Sequence, residues 1–299
     1  MIAIQIFNSA PMLDGRGIAG TYSSRGIDFP KYFLDFMKLS ARQCCETISP
    51  PKLYTDSPMR RYLEKQDMLH CWDEIDTDVL DNFNAHSRIN QKVFWSAGKF
   101  ACYNILQTPF VCIDVDLIPW HKLEFDPDAA LVFSHWESVE ADDVSYPPIE
   151  KMNAPNGYRF RKKEYFGPLA ANMSISYFAN EKFKNEFVSD SFSFMEGATE
   201  INIDGRYATP EILFIEQRNP LAIANEKGLI AKPVVETVWS PLQFRFIQND
   251  PRYGEYFFPD LDTSKPFTHL WFHKKHLDQN VSARQKYSKK LQELLNKTH

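Results

Sequence analysis

The chain has 299 residues, a formal net charge of −5 and a sequence pI of about 5.9. Dedicated nucleic-acid-binding domains are usually basic, so this charge balance argues against nucleic acid as a partner. No segment approaches the roughly 18 apolar residues that a transmembrane helix needs, and the N-terminus MIAIQIFNSAP lacks the basic region of a signal peptide. The five cysteines contain no CxxC pair and predict buried free thiols. We therefore expect a cytoplasmic globular protein.

Apolar periodicity predicts strands and helices in alternation. Strands are predicted over residues 2–7, 52–55, 110–113, 131–134 and 169–178, and helices over residues 32–48, 59–65, 88–106, 181–194, 212–227 and 281–296. Pro220 is expected to interrupt the fifth helix, and residues 138–164 are expected to form a long loop. This alternation predicts an α/β fold with a mostly parallel central sheet flanked by helices. Ligands in such folds bind at the carboxyl ends of the strands.

A glycine motif in the predicted loop over residues 8–30 carries no functional prediction. Gly15, Gly17 and Gly20 spell GxGxxG. No helical pattern opens after them, so the phosphate-binding turn of a dinucleotide site is not predicted there.

The stretch FVCIDVDLIPW places two aspartates directly after an apolar run. The chain contains four D-x-D tripeptides, but only Asp114 and Asp116 follow a segment that should be buried. Two carboxylates at a strand end repel each other and lose hydration, so they need a cation or strong donors nearby. Oxygen ligands suit Mg²⁺ or Mn²⁺, which keep open positions for substrate phosphates. The pair therefore predicts a divalent-cation site for a nucleotide diphosphate, with capping or salt-bridged aspartates as the alternative.

Four segments of the chain resemble GT-A glycosyltransferases, which use nucleotide-sugar donors. FVCIDVDLI is similar to their metal-binding motif, and HSRINQKVFWSAGKFACY to the helix that carries a basic residue toward the donor. PLAANMSISYF is similar to the strand that shapes the sugar and acceptor pockets, and FTHLWFHKK to the late histidine and lysine that complete the site. The resemblance implies a single GT-A-like domain over residues 1–299. Residues 1–130 would be its nucleotide-sugar-binding half, and residues 131–299 an elaborated acceptor-side half with a C-terminal helix.

The resemblance also implies the residues of a metal and diphosphate site, with Mn²⁺ or Mg²⁺ as the cofactor. Asp116 would ligate the metal, while Asp114 would contact the metal, the ribose or the sugar. His269 is the expected late ligand because it precedes the apolar LWF, and His273 is its competitor. Lys274 would hold the diphosphate as a point charge. A surface or core histidine is the alternative for either imidazole.

Two further polar residues are candidates for contacts with the donor. Lys99 follows Gly98 on the predicted helix that leads to the motif strand, and it could contact the phosphates or the sugar. Asn172 alternates with Ser174 on the predicted strand 169–178 and could face the sugar hydroxyls. A solvated helix lysine and ordinary loop hydrogen bonding are the respective alternatives.

Three carboxylates are candidates for the base that activates the acceptor hydroxyl. Glu211 lies in TPEIL, Glu216 in IEQ, and Glu137 in HWE after a predicted strand. A carboxylate at a helix N-terminus is also a common structural device, which is the alternative for Glu211. Because the base is not assigned, inversion and retention of the anomeric centre both stay open.

The predicted function is metal-dependent transfer of a sugar from a nucleotide-sugar donor to a glycan or lipid-linked hydroxyl acceptor, as in polysaccharide biosynthesis. Negative charge grows on the departing diphosphate, and a bound cation would neutralise it. The loop over residues 138–164 is expected to order over the donor. The basic face of the helix over residues 281–296 is a candidate for peripheral contact with an anionic membrane, with a solvated face as the alternative.

Two other functions are compatible with parts of the sequence. Haloacid-dehalogenase-like phosphatases also carry D-x-D after an apolar strand and use the first aspartate as nucleophile. In this chain, however, Ile118 occupies the place where they have a hydroxyl-bearing or small residue. The second alternative is a non-catalytic carbohydrate-binding relic of the transferase fold, which would not need the aspartate pair, His269 and Lys274 together.

Overall fold

Two compact units make up the described part of the chain. The computed structural model describes residues 1–13, 27–140, 144–198, 210–240, 261–270 and 273–297. The first unit draws on residues 1–81, 112–123 and 247–299, and the second on residues 82–111 and 124–246. Both units are discontinuous in sequence, whereas the predicted donor and acceptor halves are consecutive segments. The single domain over residues 1–299 and its division at residue 130 stay predictions.

Helices and strands alternate along the described residues. The helices are α1 (Ala10–Leu13), α2 (Lys31–Thr47), α3 (Ser57–Lys65), α4 (Asp78–His86), α5 (Ala97–Ile105), α6 (Glu181–Gly197), α7 (Pro210–Leu213), α8 (Asn219–Lys227), α9 (His273–Gln279) and α10 (Val281–Leu295). The strands are β1 (Ile2–Phe7), β2 (Lys52–Thr55), β3 (Glu74–Asp76), β4 (Phe110–Ile113), β5 (Leu117–Pro119), β6 (Leu131–Phe133), β7 (Trp136–Ser138), β8 (Leu169–Ala171), β9 (Ile175–Phe178), β10 (Ala231–Pro233), β11 (Val238–Trp239) and β12 (Phe267–His269). Short 3-10 turns cover Leu69–Cys71, Ile149–Lys151 and Lys163–Tyr165, and a π-helical turn covers Phe214–Arg218.

Three strands of the first unit, β1, β2 and β3, form a parallel ladder. β1 pairs in parallel with β2, and β2 pairs in parallel with β3. β4 lies on the other side of β1, which gives the order β4-β1-β2-β3. All four residues of β4 are buried, and β1 is buried from Ala3 onward. Continuous burial of this kind is typical of parallel strands that are covered on both faces.

Helices α2 and α10 pack together in the core of the first unit. Phe36 and Met37 of α2 and Tyr287 and Leu291 of α10 are fully buried in one apolar cluster. The residues of α10 are four apart, so they lie on one face of the helix. Burying an apolar side chain of this size stabilises a fold by about 1.5–3 kcal/mol, so this contact anchors the C-terminal helix to the unit.

The second unit contains two small groups of strands and a cluster of aromatic rings. β6 pairs in parallel with β10 and antiparallel with β9, and a separate three-stranded sheet has the order β11-β7-β8. Rings of α5, α6 and β9 pack closely, with centroids 5.2 Å apart for Phe100 and Phe187 and 5.1 Å apart for Tyr103 and Phe178. The predicted α/β class with mostly parallel pairing is therefore confirmed, while the GT-A topology stays a prediction.

Several predicted elements differ from the structure. The helix predicted over residues 88–106 is wrong for its first half, because only α5 is helical there. The strand predicted over residues 169–178 is two strands, β8 and β9, which belong to different sheets. Cys45 is exposed, so the prediction of buried thiols is wrong for this cysteine. The glycines at positions 15, 17 and 20 lie outside the described residues, as do residues 141–143 of the predicted long loop. In the described ranges, no helix combines the length and hydropathy needed to cross a bilayer.

Candidate functional site

A tight turn after β4 presents the two aspartates of the D-x-D motif. The buried strand ends at Ile113, and the backbone N–H of Leu117 donates a hydrogen bond of 2.9 Å to the carbonyl of Asp114. This bond closes the turn directly before β5. Asp114 and Asp116 are each partly buried, while Val115 between them is buried in the core. Val115 therefore anchors the turn in the core, and both carboxylates keep part of their surface exposed.

Antiparallel pairing of β5 with β12 brings a histidine to the aspartates. His269 is paired in register with Leu117, and the N–H of Leu270 donates to the carbonyl of Asp116 at 2.9 Å. Ligand atoms of Asp114, Asp116 and His269 all lie within 4.8 Å of one another. His269 Nε2 is 3.8 Å from Asp116 Oδ2. Two carboxylates and one imidazole in this arrangement could hold a divalent cation.

Lys274 of α9 completes the charge balance of this site. Its Nζ lies 2.5 Å from Asp116 Oδ2, and both side chains are only 13% exposed. The same ammonium is 5.1 Å from the ring centroid of Phe33, a cation–π distance. Lys274 therefore offers a positive charge beside the carboxylates, where a diphosphate bound to a cation would also need one.

The structure separates the two competing histidines. His273 begins α9 and is 6% exposed, and burial lowers its pKa to about 3. It does not belong to the cluster that Asp114 and Asp116 form with His269. The geometry therefore favours His269 over His273 as the third ligand.

A chain of buried hydrogen bonds ends at Leu117, the last residue of the turn that carries the two aspartates. Trp72 Nε1 donates to Gln5 Oε1 at 2.7 Å, and Gln5 Nε2 donates to Ser40 Oγ at 2.8 Å. Ser40 Oγ in turn donates to the carbonyl of Leu117 at 2.5 Å. Gln5 and Ser40 are fully buried. Sequence reasoning missed this network, although a glutamine inside the apolar strand IAIQIF was a signal that a buried partner existed.

A second polar cluster in the second unit contains two of the predicted site residues. Asn172 Nδ2 donates to Glu137 Oε1 at 2.6 Å, and Tyr146 donates its hydroxyl proton to Glu137 Oε2. Ser134 and Ser174 both donate to Asn172 Oδ1, at 2.8 and 2.7 Å. All five side chains are buried, so this is a saturated network of the kind that fixes one conformation.

Lys99 and Glu216 form an ion pair in the same unit. Lys99 Nζ lies 3.0 Å from Glu216 Oε1, and the side chains are 15% and 10% exposed. Glu216 belongs to the π-helical turn, a feature that occurs frequently at functional sites. The side-chain amide of its neighbour Gln217 contacts the hydroxyl of Tyr146, which also contacts Glu137. Two predicted carboxylates are thus linked to the same local network.

Glu211 is the third predicted carboxylate. It lies in the first turn of the four-residue helix α7 and is half-buried. This is the helix N-terminal position that also has a purely structural explanation.

No family model and no curated protein matches the sequence. Similar solved structures include a nucleoside-diphosphate-sugar pyrophosphorylase from Vibrio cholerae RC9, with 11% identity, 81% of this chain and 93% of that chain covered, and a TM-score of 0.38. The inositol-1-phosphate CTP transferase from T. maritima has 14% identity, coverage of 80% and 84%, and a TM-score of 0.39. Mouse xyloside xylosyltransferase 1 in its apo form has 8% identity, coverage of 78% and 84%, and a TM-score of 0.34. At such low scores these similarities assign neither a family nor an activity to this chain.

Proposed function

We propose that the chain is a metal-dependent glycosyltransferase that moves a sugar from a nucleotide-sugar donor to a hydroxyl acceptor. The observation that carries the proposal is the meeting of Asp114, Asp116 and His269 with the ammonium of Lys274, which approaches Asp116 to 2.5 Å. A purely structural aspartate pair would need a cation or a donor, but not both an imidazole and a lysine from a distant segment. The resemblance of the four sequence segments to GT-A enzymes supports the same function.

Each residue of the cluster has a defined task in this reaction. Asp114, Asp116 and His269 would hold Mn²⁺ or Mg²⁺, and the imidazole in the donor set favours Mn²⁺ over the all-oxygen preference of Mg²⁺. The bound cation supplies Lewis-acid stabilisation of the leaving diphosphate, worth several kcal/mol in the transition state. Lys274 binds and orients the same phosphates through its positive charge.

Glu137, Glu216 and Glu211 are the proposed candidates for activating the acceptor. Glu137 already accepts hydrogen bonds from Asn172 and Tyr146, which would orient its carboxylate. Glu216 is paired with Lys99, so substrate would have to displace the ammonium before this carboxylate could accept a proton. Replacing each glutamate with glutamine separates them, since loss of the base lowers kcat by about 10²–10⁴-fold while leaving donor affinity in place.

The decisive experiment measures cation and nucleotide binding in matched variants. Calorimetric titrations with Mn²⁺, followed by uridine and guanosine diphosphate, are expected to give Mn²⁺-dependent nucleotide binding in the wild type. Asp116→Asn should remove it, because one anionic ligand is lost. Asp128→Asn is the control, since Asp128 is the exposed second aspartate of another D-x-D tripeptide. A panel of nucleotide sugars with glycan acceptors then tests transfer.

Two results would contradict the proposal. Mn²⁺-dependent nucleotide binding that is equal in the wild type and Asp116→Asn would separate the cluster from the function. Hydrolysis of a generic aryl phosphate with Mg²⁺, lost in Asp114→Asn and unaccompanied by nucleotide binding, would instead indicate the phosphatase.

A further inference from the structure

A large open cavity lies in the second unit, and none of its lining residues is among those proposed above to bind the cation or the diphosphate. Its volume is about 1130 Å³, and it is lined by the end of α4, by one face of α6 and by a loop that contains Asn156. We call it the α4–α6 groove. Pockets for drug-sized ligands usually measure about 300–1,000 Å³, so this one suits an extended ligand.

Two half-buried aromatic rings form the floor of the α4–α6 groove. Phe83 of α4 and Phe192 of α6 have ring centroids 6.3 Å apart and planes inclined by 51°. Both rings line the cavity. Such rings offer an apolar surface against which a flat, partly apolar ligand can pack.

Polar groups without formal charge surround the rings. Three exposed asparagines, Asn82, Asn104 and Asn156, bring amides that both donate and accept hydrogen bonds. On α6, Ser189 and Ser193 are four residues apart and lie on the same face as Phe192. The lining therefore combines an apolar floor with a rim of uncharged hydrogen-bonding groups.

The charge of the lining excludes phosphorylated ligands. The lining residues that the structure describes include no lysine or arginine, and Glu196 adds a negative charge. His86 Nδ1 lies 2.9 Å from the carbonyl of Asn82, and since a carbonyl only accepts, this nitrogen carries the proton. In the uncharged ring, Nε2 is then a further acceptor. Such a surface suits a neutral ligand rich in hydroxyl donors.

A close backbone approach fixes one wall of the groove. A Cβ atom at Gly197, the last residue of α6, would lie 2.7 Å from the carbonyl oxygen of Asn156. Real Cβ atoms essentially never show such a contact, so the loop can approach the helix this closely only because the residue is glycine. The backbone at Asn156 is thereby held beside the helix.

We propose that the α4–α6 groove binds a neutral oligosaccharide of several sugar rings. Sugar rings carry apolar C–H faces that pack on aromatic rings, and hydroxyls that pair with amide and hydroxyl groups, so they match both parts of the lining. This goes beyond the proposed transfer reaction, because binding here needs neither a cation nor a nucleotide.

Saturation-transfer NMR with neutral tetrasaccharides tests the proposal. The probes are α-1,4-glucan, β-1,4-glucan, β-1,4-xylan and N-acetylglucosamine tetramers at millimolar concentration, with a chelator and without nucleotide. At least one probe is expected to bind. Since cations and nucleotides are absent, failure of the transferase proposal would leave this result unchanged, and failure here would not affect the cation titrations.

Three variants locate the binding. Ser193→Arg places a long side chain in the groove from an exposed helix position and should abolish binding. Phe192→Ala should weaken it about threefold to tenfold, the value of one aromatic contact. Phe125→Ala is the matched control, because Phe125 is also half-buried and stacks on Tyr177 at 4.8 Å outside the groove. Binding of no probe, or binding unchanged in Ser193→Arg, would overturn the proposal.

Discussion

Lys274 is paired with Asp116, a carboxylate that would also bind the proposed metal ion. Its ammonium is 2.5 Å from Asp116 Oδ2, so it neutralises the carboxylate before any cation arrives. A lysine in this position competes with a cation for Asp116 and cooperates with it toward phosphate. Removing the lysine charge should therefore strengthen cation binding and weaken phosphate binding, so one substitution separates the two effects.

Lys274→Met removes the charge but keeps most of the apolar side chain over Phe33. Mn²⁺ should bind up to about fivefold more tightly, since the competing ion pair is worth up to about 1 kcal/mol. Uridine diphosphate should bind more weakly at saturating Mn²⁺, because its phosphates lose a positive partner. Calorimetry measures both constants. Lys289→Met, on the exposed face of α10, is the control, and weaker Mn²⁺ binding in Lys274→Met would contradict this role.

His135 gives the fold a predictable response to acid. It is 1% exposed and stacks on Trp239 with centroids 4.8 Å apart, and burial lowers its pKa to about 4. The unfolded chain has the ordinary value near 6.5 and binds more protons between these two values, so stability falls as the pH drops through this window.

The predicted loss can be isolated by comparison with His135→Phe, which keeps a ring for Trp239. Between pH 7 and pH 5, the wild type should lose about 2 kcal/mol of unfolding free energy more than the variant. Urea denaturation at the two pH values measures the difference. Equal losses in both proteins would mean that this imidazole can be protonated within the folded state.

The turn that carries Asp114 and Asp116 depends on a hydrogen bond from helix α2. Ser40 of α2 donates to the Leu117 carbonyl, and the N–H of the same Leu117 holds the Asp114 carbonyl. One residue, Leu117, therefore connects the buried Ser40–Gln5 hydrogen bond to the turn that carries both aspartates.

Ser40→Ala should destabilise the protein and weaken Mn²⁺ binding. Leaving the Leu117 carbonyl and the Gln5 amide without this partner costs about 1–3 kcal/mol, and a looser turn should lower Mn²⁺ affinity severalfold. Ser176→Ala is the control, because Ser176 is also fully buried and bonds a single hydroxyl, that of Tyr103, at 2.9 Å. It should cost similar stability without changing Mn²⁺ affinity. Unchanged affinity in Ser40→Ala would contradict a positioning role.

Elements with a clear apolar period were predictable from the sequence. Segments in which a side chain accepts a hydrogen bond from a nearby backbone N–H group were not. The helix over residues 32–48 follows a simple apolar period and forms as α2. Residues 88–96 share such a period, but Ser87 Oγ and Asn90 Oδ1 accept from the nearby N–H groups of Ile89 and Lys92 at 3.1 Å each. These bonds compete with the helix. In the same way, Asn172 Oδ1 accepts from the Ser174 N–H at 3.2 Å, at the turn that divides β8 from β9.

The candidate cluster shows which site residues a single sequence can reveal and which depend on long-range contacts. The aspartates can be recognised from the local sequence, because an apolar strand precedes them. Lys274 is 158 residues from Asp116, and their meeting depends on the pairing of two three-residue strands, β5 and β12, which have no distinctive pattern. The resemblance to a family supplied His269 and Lys274, whereas Gln5 and Ser40 required the folded arrangement.

The apolar face of the C-terminal helix α10 is buried in the core of the first unit. Its apolar residues Tyr287 and Leu291 are fully buried, and Arg42 of α2 donates to the terminal carbonyls of Leu294 and Leu295 at 2.7 and 2.8 Å. The predicted contact with anionic membranes therefore stays a prediction that rests on exposed lysines alone. An apolar face buried in the core is not available for insertion.

Leu291→Ala tests this assignment, with Lys290→Ala as the neighbouring control. Loss of the buried leucine should lower the unfolding free energy by about 2–5 kcal/mol, whereas the exposed lysine should change it by about 0.5 kcal/mol or less. Urea denaturation measures both changes. Sedimentation with anionic vesicles separates the two roles, since any binding should weaken in Lys290→Ala and vanish at high salt, where charges are screened. A leucine variant of normal stability that no longer binds vesicles would instead place the apolar face of α10 in the lipid.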